Sequence, residues 1–326
     1  MKRTKTGQIS TASSAIKGRT DVFSKNLLRY REIKKLTSTY LEPIIKNTIN
    51  NRLYTQFNQG ITITGRLSSS NPINLQNIPS RREDGKKVRG IFTKPENFLL
   101  LDVDFSQIEL RLLAHFSNDS TMLKAYNEGI DLHALTAKYI FAVNDPSKEQ
   151  RFLSKQINFA CLYGAYPKKI MEVINTSNTG ITVSFLDANN ILNRFNELYR
   201  EADIWKKIEL GRVRLTNRVY TLGGRIIPIE GLSSGDFGKR AGAERAVISY
   251  IIQGSAADVM KKSMIDLTNK YPYLQIVASI HDELLIEVHE DTDLLIGDIP
   301  IIMEKSYNLK VPLVVDVKIV SNWSEK

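Results

Sequence analysis

The sequence predicts an α+β fold, an antiparallel sheet with a helical insertion, and three stretches carry that expectation. Leu99, Leu100, Leu101 and Val103 within FLLLDVDF make a run apolar enough for a buried strand. LQIVASI and LLIEV are two more apolar runs, joined by the acidic tip His281-Asp282-Glu283 in the pattern of a hairpin. Between these strand regions, residues 120–210 read as mostly helical, with polar turns at NDPSK and NTSNTG.

The other elements follow in chain order. Residues 1–60 are polar and basic, with one helical stretch from about Ser24 to Ile49, where Leu27, Leu28, Ile33, Leu36, Tyr40 and Leu41 recur at roughly helical spacing. Residues 60–100 are rich in Gly, Pro, Asn and Ser and read as turns. The strand FLLLDVDF runs into a helix beginning near Ser106. RVYTLGGRIIPI reads as a short hairpin turning at Gly223-Gly224. A long helix is expected from about Gly242 to Asn269. There is no internal repeat and no low-complexity linker.

With 326 residues, 42% of them hydrophobic, the chain can bury a sizeable core in two or three structural units. Its 45 Lys and Arg against 35 Asp and Glu give a net charge of +10, a mild pointer to a polyanionic partner. Cys161 is the only cysteine, which rules out an intrachain disulfide and fits a reducing compartment. The basic N-terminus is followed by no apolar stretch of a secretory signal, and no run approaches the ~18 apolar residues of a membrane span. A soluble, cytoplasmic protein with no membrane partner is expected.

Three constellations carry chemistry. Asp104 stands at the end of an apolar strand, where a carboxylate needs a cation or a hydrogen-bond network, although Asp also favours helix N-caps. Asp282 and Glu283 are adjacent acids at a hairpin tip that has no glycine. The residues could be ordinary turn chemistry, but like charges side by side make more sense beside a metal ion. Two aspartates from separate strands could hold a pair of hard divalent ions about 3.5–4 Å apart, the arrangement used for in-line phosphoryl transfer. Finally Arg151, Lys155, Phe159 and Tyr163 recur every four residues, so successive side chains drift by only about 40° and share one helical stripe. Cations followed by rings suit a nucleoside triphosphate, although an amphipathic helix with aromatic core residues gives the same pattern.

Taken in order, these segments resemble the three motifs of the family A DNA polymerases, the bacterial DNA polymerase I type. DFSQIELR resembles the first, R-x3-K-x3-F-x3-YG the second and HDE the third. TGRLSS (64–69) and NLQNIP (74–79) are similar to the family's primer-template segment, Asp131-Leu132-His133 to a triphosphate contact, and QGSAAD (253–258) to a helix reading the duplex minor groove. VPLVVDV and Asn322-Trp323 also match.

The resemblance implies Asp104 and Asp282 as ligands of two Mg2+ ions, with Glu283 as a supporting acid. It implies Arg151, Lys155 and His133 as the grip on an incoming dNTP, with Lys155 also a proton donor to pyrophosphate. Gln107 joins that substrate set, Glu109 would exclude a ribose 2′-hydroxyl, Phe159 matches the variant that rejects dideoxynucleotides, and Tyr163 would stack at the templating position. Arg66, Asn74, Gln76, Asn77, Arg245, Gln253 and His281 would touch primer-template DNA.

The implied architecture is the right-hand polymerase fold with its thumb mostly absent. Residues 1–60 would be a thumb remnant and lead-in, 61–125 and 241–326 the palm, and 126–240 the fingers. A proofreading nuclease is not expected within this length, and a separate chain is expected to carry nuclease and thumb. Ile73 reads as an insertion, Ser249 stands where the family usually has Asn, Phe105 replaces a usual Tyr, and Asp102 is an extra acid. A single-subunit RNA polymerase and a non-catalytic DNA-binding relic are the alternatives; Glu109 and QGSAAD argue against the former, both aspartates and the cationic stripe against the latter.

Overall fold

The computed structural model describes every residue except 1, 2, 4, 5, 17, 18, 81 and 326, and the chain divides into two units. The first comprises 1–58, 68–94 and 320–326; the second comprises 59–67 and 95–319.

The first unit contains α1 (Ser13–Ile16), α2 (Val22–Leu36), α3 (Glu42–Asn47), the antiparallel pair β1 (Gln56–Asn58) and β2 (Ser68–Ser70), and α4 (Glu83–Arg89). Asp21 starts α2 by accepting a hydrogen bond from Ser24 N at 2.9 Å. The expected single helix from Ser24 to Ile49 is instead interrupted by a π-helical turn, Thr37–Leu41. There Thr37, Ser38 and Thr39 follow one another, and the Ser38 hydroxyl donates back to the Lys34 carbonyl at 2.8 Å, competing with the regular helix ladder. Tyr40, Ile44, Ile78, Val88 and Trp323 are buried in this unit. Arg89 stacks 4.2 Å from the Trp323 ring and donates to the Ile78 carbonyl at 2.9 Å.

The second unit starts with β3 (Phe98–Phe105). Then come the helices α5 (Ile108–Ser117), α6 (Ser120–Asn127), α7 (Leu132–Phe141), α8 (Lys148–Leu162), α9 (Pro167–Asn175), α10 (Phe185–Leu198) and α11 (Arg200–Thr216). A hairpin of β4 (Arg218–Tyr220) and β5 (Ile226–Pro228) leads to the long α12 (Phe237–Lys270). β6 (Gln275–Ile280), β7 (Glu283–His289), α13 (Asp293–Glu304) and β8 (Val315–Val320) complete it.

The expected α+β architecture is the observed one. The sheet has the order β6-β7-β3-β8, and β7 runs antiparallel to both β6 and β3. The long helix begins earlier than its apolar pattern suggested, at Phe237, because Asp236 caps it through Gly238 N at 2.7 Å and Lys239 N at 3.2 Å. The period-2 geometry of the strands sorts the sheet's faces. Leu101, Val103, Leu284 and Ile286 join one apolar core with Leu110 and Leu113 of α5 and Ile251 and Val259 of α12. The register puts Asp102, Asp104, Glu283 and Glu287 on the other face, with Asp104 directly opposite Glu283.

Candidate active site

Asp104 lies inside β3, and the residue that caps α5 is Gln107, in a left-handed conformation with φ +53°. The N-cap alternative for Asp104 therefore does not hold. Arg111 fixes this strand-to-helix turn, donating to the Ser106 carbonyl at 2.8 Å and the Pro312 carbonyl at 2.6 Å. The second aspartate arrives through the β6–β7 hairpin. Ile280 pairs with Glu283, leaving His281 and Asp282 as a two-residue loop. His281 takes φ +57°, a left-handed conformation that usually falls to glycine and is strained in a histidine. The Phe105 amide donates to the Asp282 carbonyl at 3.0 Å. Asp104 and Asp282 thus sit on neighbouring chain segments, half-buried, while Glu283 is buried.

Arg66 joins the carboxylates. One of its terminal nitrogens donates to Glu109 Oε1 at 2.7 Å and to Asp282 Oδ1 at 3.2 Å. Burial opposes the Arg66 charge, but Asp282 and Glu109 outweigh it and hold its pKa above the ordinary value. Glu109, in the first turn of α5, is only 8% exposed. Burial pushes its pKa up, against the lowering pull of Tyr163 and Arg66. The Tyr163 hydroxyl donates to Glu109 and also hydrogen-bonds Gln253 of α12; burial raises its pKa.

The sequence stripe on α8 forms as far as Phe159. Arg151, Lys155 and Phe159 lie on the helix, whereas Tyr163 is its C-terminal cap, with φ −94° and ψ 21°. Arg151 and Lys155 are exposed, and Arg151 Nε reaches Asp131 at 2.5 Å. Asp131 caps α7 through His133 N at 2.9 Å and Ala134 N at 3.2 Å. His133 is buried beside Phe159, their ring centres 6.4 Å apart. Burial and the nearby Lys155 and Arg151 charges, partly offset by Asp131, bring its pKa down to about 4.

The remaining expected residues disperse. Arg245 is exposed on α12. Gln107 accepts from the Tyr126 hydroxyl at 3.2 Å. Asn74, Gln76 and Asn77 lie in the first unit: Asn74 Oδ1 accepts from Ser69 Oγ at 2.9 Å, and the Asn77 carbonyl accepts from the Tyr40 hydroxyl at 2.7 Å.

Two polar groups were missed by the sequence reading. Arg225, on the β4–β5 hairpin, pairs with Asp258 at 2.6 Å and donates to the carbonyls of Thr64 at 2.9 Å and Gly254 at 2.8 Å, anchoring the segment that carries Arg66. Asn158, Thr136 and Tyr199 form a buried polar chain ending on His133. Only their burial marks Asn158, Thr136 and Tyr199, and that is visible only once α7, α8 and the C-terminal cap of α10 are packed.

As a metal site, the donors are hard carboxylate oxygens, and a guanidinium already stands on Asp282, so the locus holds a cation. Among the described residues, no three or more His, Cys, Asp or Glu are gathered as a metal-holding group. A two-aspartate set fits an ion such as magnesium, which takes few protein carboxylates and completes its shell with substrate oxygens.

Comparison with known proteins agrees with the motifs. The family description "DNA polymerase family A" matches residues 1–325. The chain belongs to DNA polymerase family A. Among family A relatives, DNA polymerase I of Bacillus subtilis is 37% identical over 335 residues, covering 99% of this chain and 37% of its own length. The thermostable DNA polymerase I of Thermus filiformis is 36% identical over 334 residues, covering 98% and 39%. The chain thus spans about two fifths of the length of these curated relatives. Among solved structures, the POL domain of Pol1 from M. smegmatis, in complex with DNA primer-template and dNTP, matches with a TM-score of 0.88 and 31% identity over 99% of this chain and 58% of that one. No helix among the described residues is long and apolar enough to cross a membrane.

Proposed function

We propose that this chain is a DNA-directed DNA polymerase that extends a primer 5′ to 3′ from dNTPs. The observation that carries the reading is the meeting of β3 and the β6–β7 turn, which brings Asp104 and Asp282 together in a chain of family A. In the reaction, the primer 3′-oxygen attacks the α-phosphorus and the bond to the bridging oxygen breaks. Pyrophosphate leaves, taking a proton from Lys155, and the proton of the 3′-hydroxyl passes to solvent. Asp104 and Asp282 would hold two Mg2+ ions, which would supply charge neutralisation to the transferring phosphate.

The protein's own residues do the positioning that dominates phosphoryl transfer. Arg151, Lys155 and His133 hold the triphosphate, with Gln107 and Phe159 beside the nucleotide. Glu109 blocks a ribose 2′-hydroxyl, Tyr163 stacks at the templating position, and Glu283 supports the metal-binding pair. Arg66, Arg245, Gln253, His281, Asn74, Gln76 and Asn77 hold primer-template DNA, whose phosphates a chain of charge +10 attracts. In domain terms, 61–125 and 241–326 form the palm, 126–240 the fingers, and 1–60 the end of a thumb.

Primer extension by the purified chain tests the activity. Extension with dNTPs and magnesium, abolished by a chelator and far weaker with ribonucleotides, is expected. Ribonucleotide incorporation at the dNTP rate would instead favour an RNA polymerase.

A further inference from the structure

We propose that Asn158 is a positioning residue that fixes the proton of His133 on Nε2, so that a neutral imidazole N–H faces the triphosphate. The inference rests on His133 as a triphosphate contact and goes beyond it, because it assigns the tautomer and the residues that set it.

The geometry is a directed chain of hydrogen bonds among buried side chains. Tyr199, Thr136 and Asn158 are all almost wholly buried, at 2%, 0% and 1% exposure. The Tyr199 hydroxyl lies 2.7 Å from Thr136 Oγ1, and Thr136 Oγ1 donates to Asn158 Oδ1 at 3.0 Å, sharing its proton with the Leu132 carbonyl at 2.7 Å. Asn158 Nδ2 then lies 2.8 Å from His133 Nδ1. An amide NH2 can only donate, so Nδ1 must accept and the ring proton must sit on Nε2. Burial raises the Tyr199 pKa, which keeps its phenol protonated as the first donor of the chain.

Nε2 is where the chain stops. That atom is buried and has no hydrogen-bond partner within the described residues. An ordinary core histidine satisfies both ring nitrogens, whereas this one keeps one nitrogen unmatched within a residue only 2% exposed. The Nε2–H tautomer offers a phosphate oxygen a donor; the alternative tautomer would turn a lone pair toward an anion. The charged groups around the ring are Asp131 on the N-cap of α7, and Arg151 and Lys155 on α8. A neutral donor adds no further charge to that cationic grip.

The test is long-range 1H–15N correlation on histidine-labelled protein. Four histidines are present, and His133→Gln identifies the signal that belongs to His133. The expected result is the Nε2-protonated neutral tautomer, unchanged from about pH 6 to 9. A proton on Nδ1 overturns the proposal. Asn158→Asp puts a carboxylate against Nδ1 and is expected to move the proton there. The KM for dNTP should rise about tenfold or more with kcat little changed, the loss of one hydrogen bond to a charged group. A folded Asn158→Asp protein with unaltered tautomer and KM overturns it too. Should that variant not fold, Tyr199→Phe frees the Thr136 oxygen to accept from a flipped Asn158 amide, whose oxygen then faces Nδ1, and should leave a mixture of tautomers; an unmixed Nε2 tautomer there contradicts the relay. Failure of the underlying reading looks different: His133→Ala would leave the KM for dNTP unchanged, whatever the tautomer.

Discussion

One guanidinium nitrogen of Arg66 serves two carboxylates, Glu109 and Asp282, in a half-buried pocket. Removing a shared cation leaves two acids without their partner, so Arg66→Ala is expected to cost about 2–4 kcal/mol. In urea unfolding the midpoint should fall with the slope preserved; an unchanged midpoint would show that the pairing adds nothing. His133 supplies a pH signature with a definite sign. Burial lowers its pKa from 6.5 to about 4, so between those values the unfolded chain binds a proton that the native state refuses. Stability is therefore fully present above about pH 6.5 and declines as pH falls toward 4, by on the order of 3 kcal/mol in full. Thermal melts across that range should show the decline in the native protein and a shallower one in His133→Gln. Parallel profiles would mean that the ring titrates normally.

At the scale of elements, the backbone approaches are as specific as the side chains. A methyl group on Gly254 in α12 would lie 2.6 Å from Thr221 Cγ2 and 3.1 Å from Ile227 Cδ1, pushing the β4–β5 hairpin off the helix. Gly211, inside α11, has open space at the same position. Gly254→Ala should therefore destabilise by about 1–3 kcal/mol, while Gly211→Ala should stabilise by about 0.5–1 kcal/mol through helix propensity. Equal melting shifts for the two variants would contradict the packing.

The strands and the long helix were legible because FLLLDVDF, LQIVASI and LLIEV are apolar over lengths that only burial explains. Asp104 and Asp282 were legible because acids rarely end such runs. The π-turn was not, since Thr37, Ser38 and Thr39 suit a helix poorly but do not say where it breaks. Nor was the pairing of Arg66 with Asp282, which lie 216 positions apart. Asn158 was hidden for a related reason: a polar residue on a helix reads as solvent-facing until its buried partners Thr136 and His133 on α7 are known. The sequence stripe also ran one residue too far, because the helix ends at Leu162 and Tyr163 turns toward Glu109.

In the molecule as a whole, a basic chain presents a small acidic focus. Its net charge of +10 suits a polyanion, yet Asp102, Asp104, Glu283 and Glu287 share one face of the main sheet. The proposed metal-binding role of Asp104 and Asp282 accounts for two of those acids. Single-turnover incorporation of one nucleotide by Asp104→Asn and Asp282→Asn, beside a binding measurement with primer-template DNA, tests it most directly. Each substitution keeps the side chain's size and removes its charge. The expected result is incorporation slowed about a thousandfold or more in both variants, with DNA affinity nearly unchanged. Incorporation at the unaltered rate in either variant would contradict the assignment of the two aspartates as the centre of the reaction.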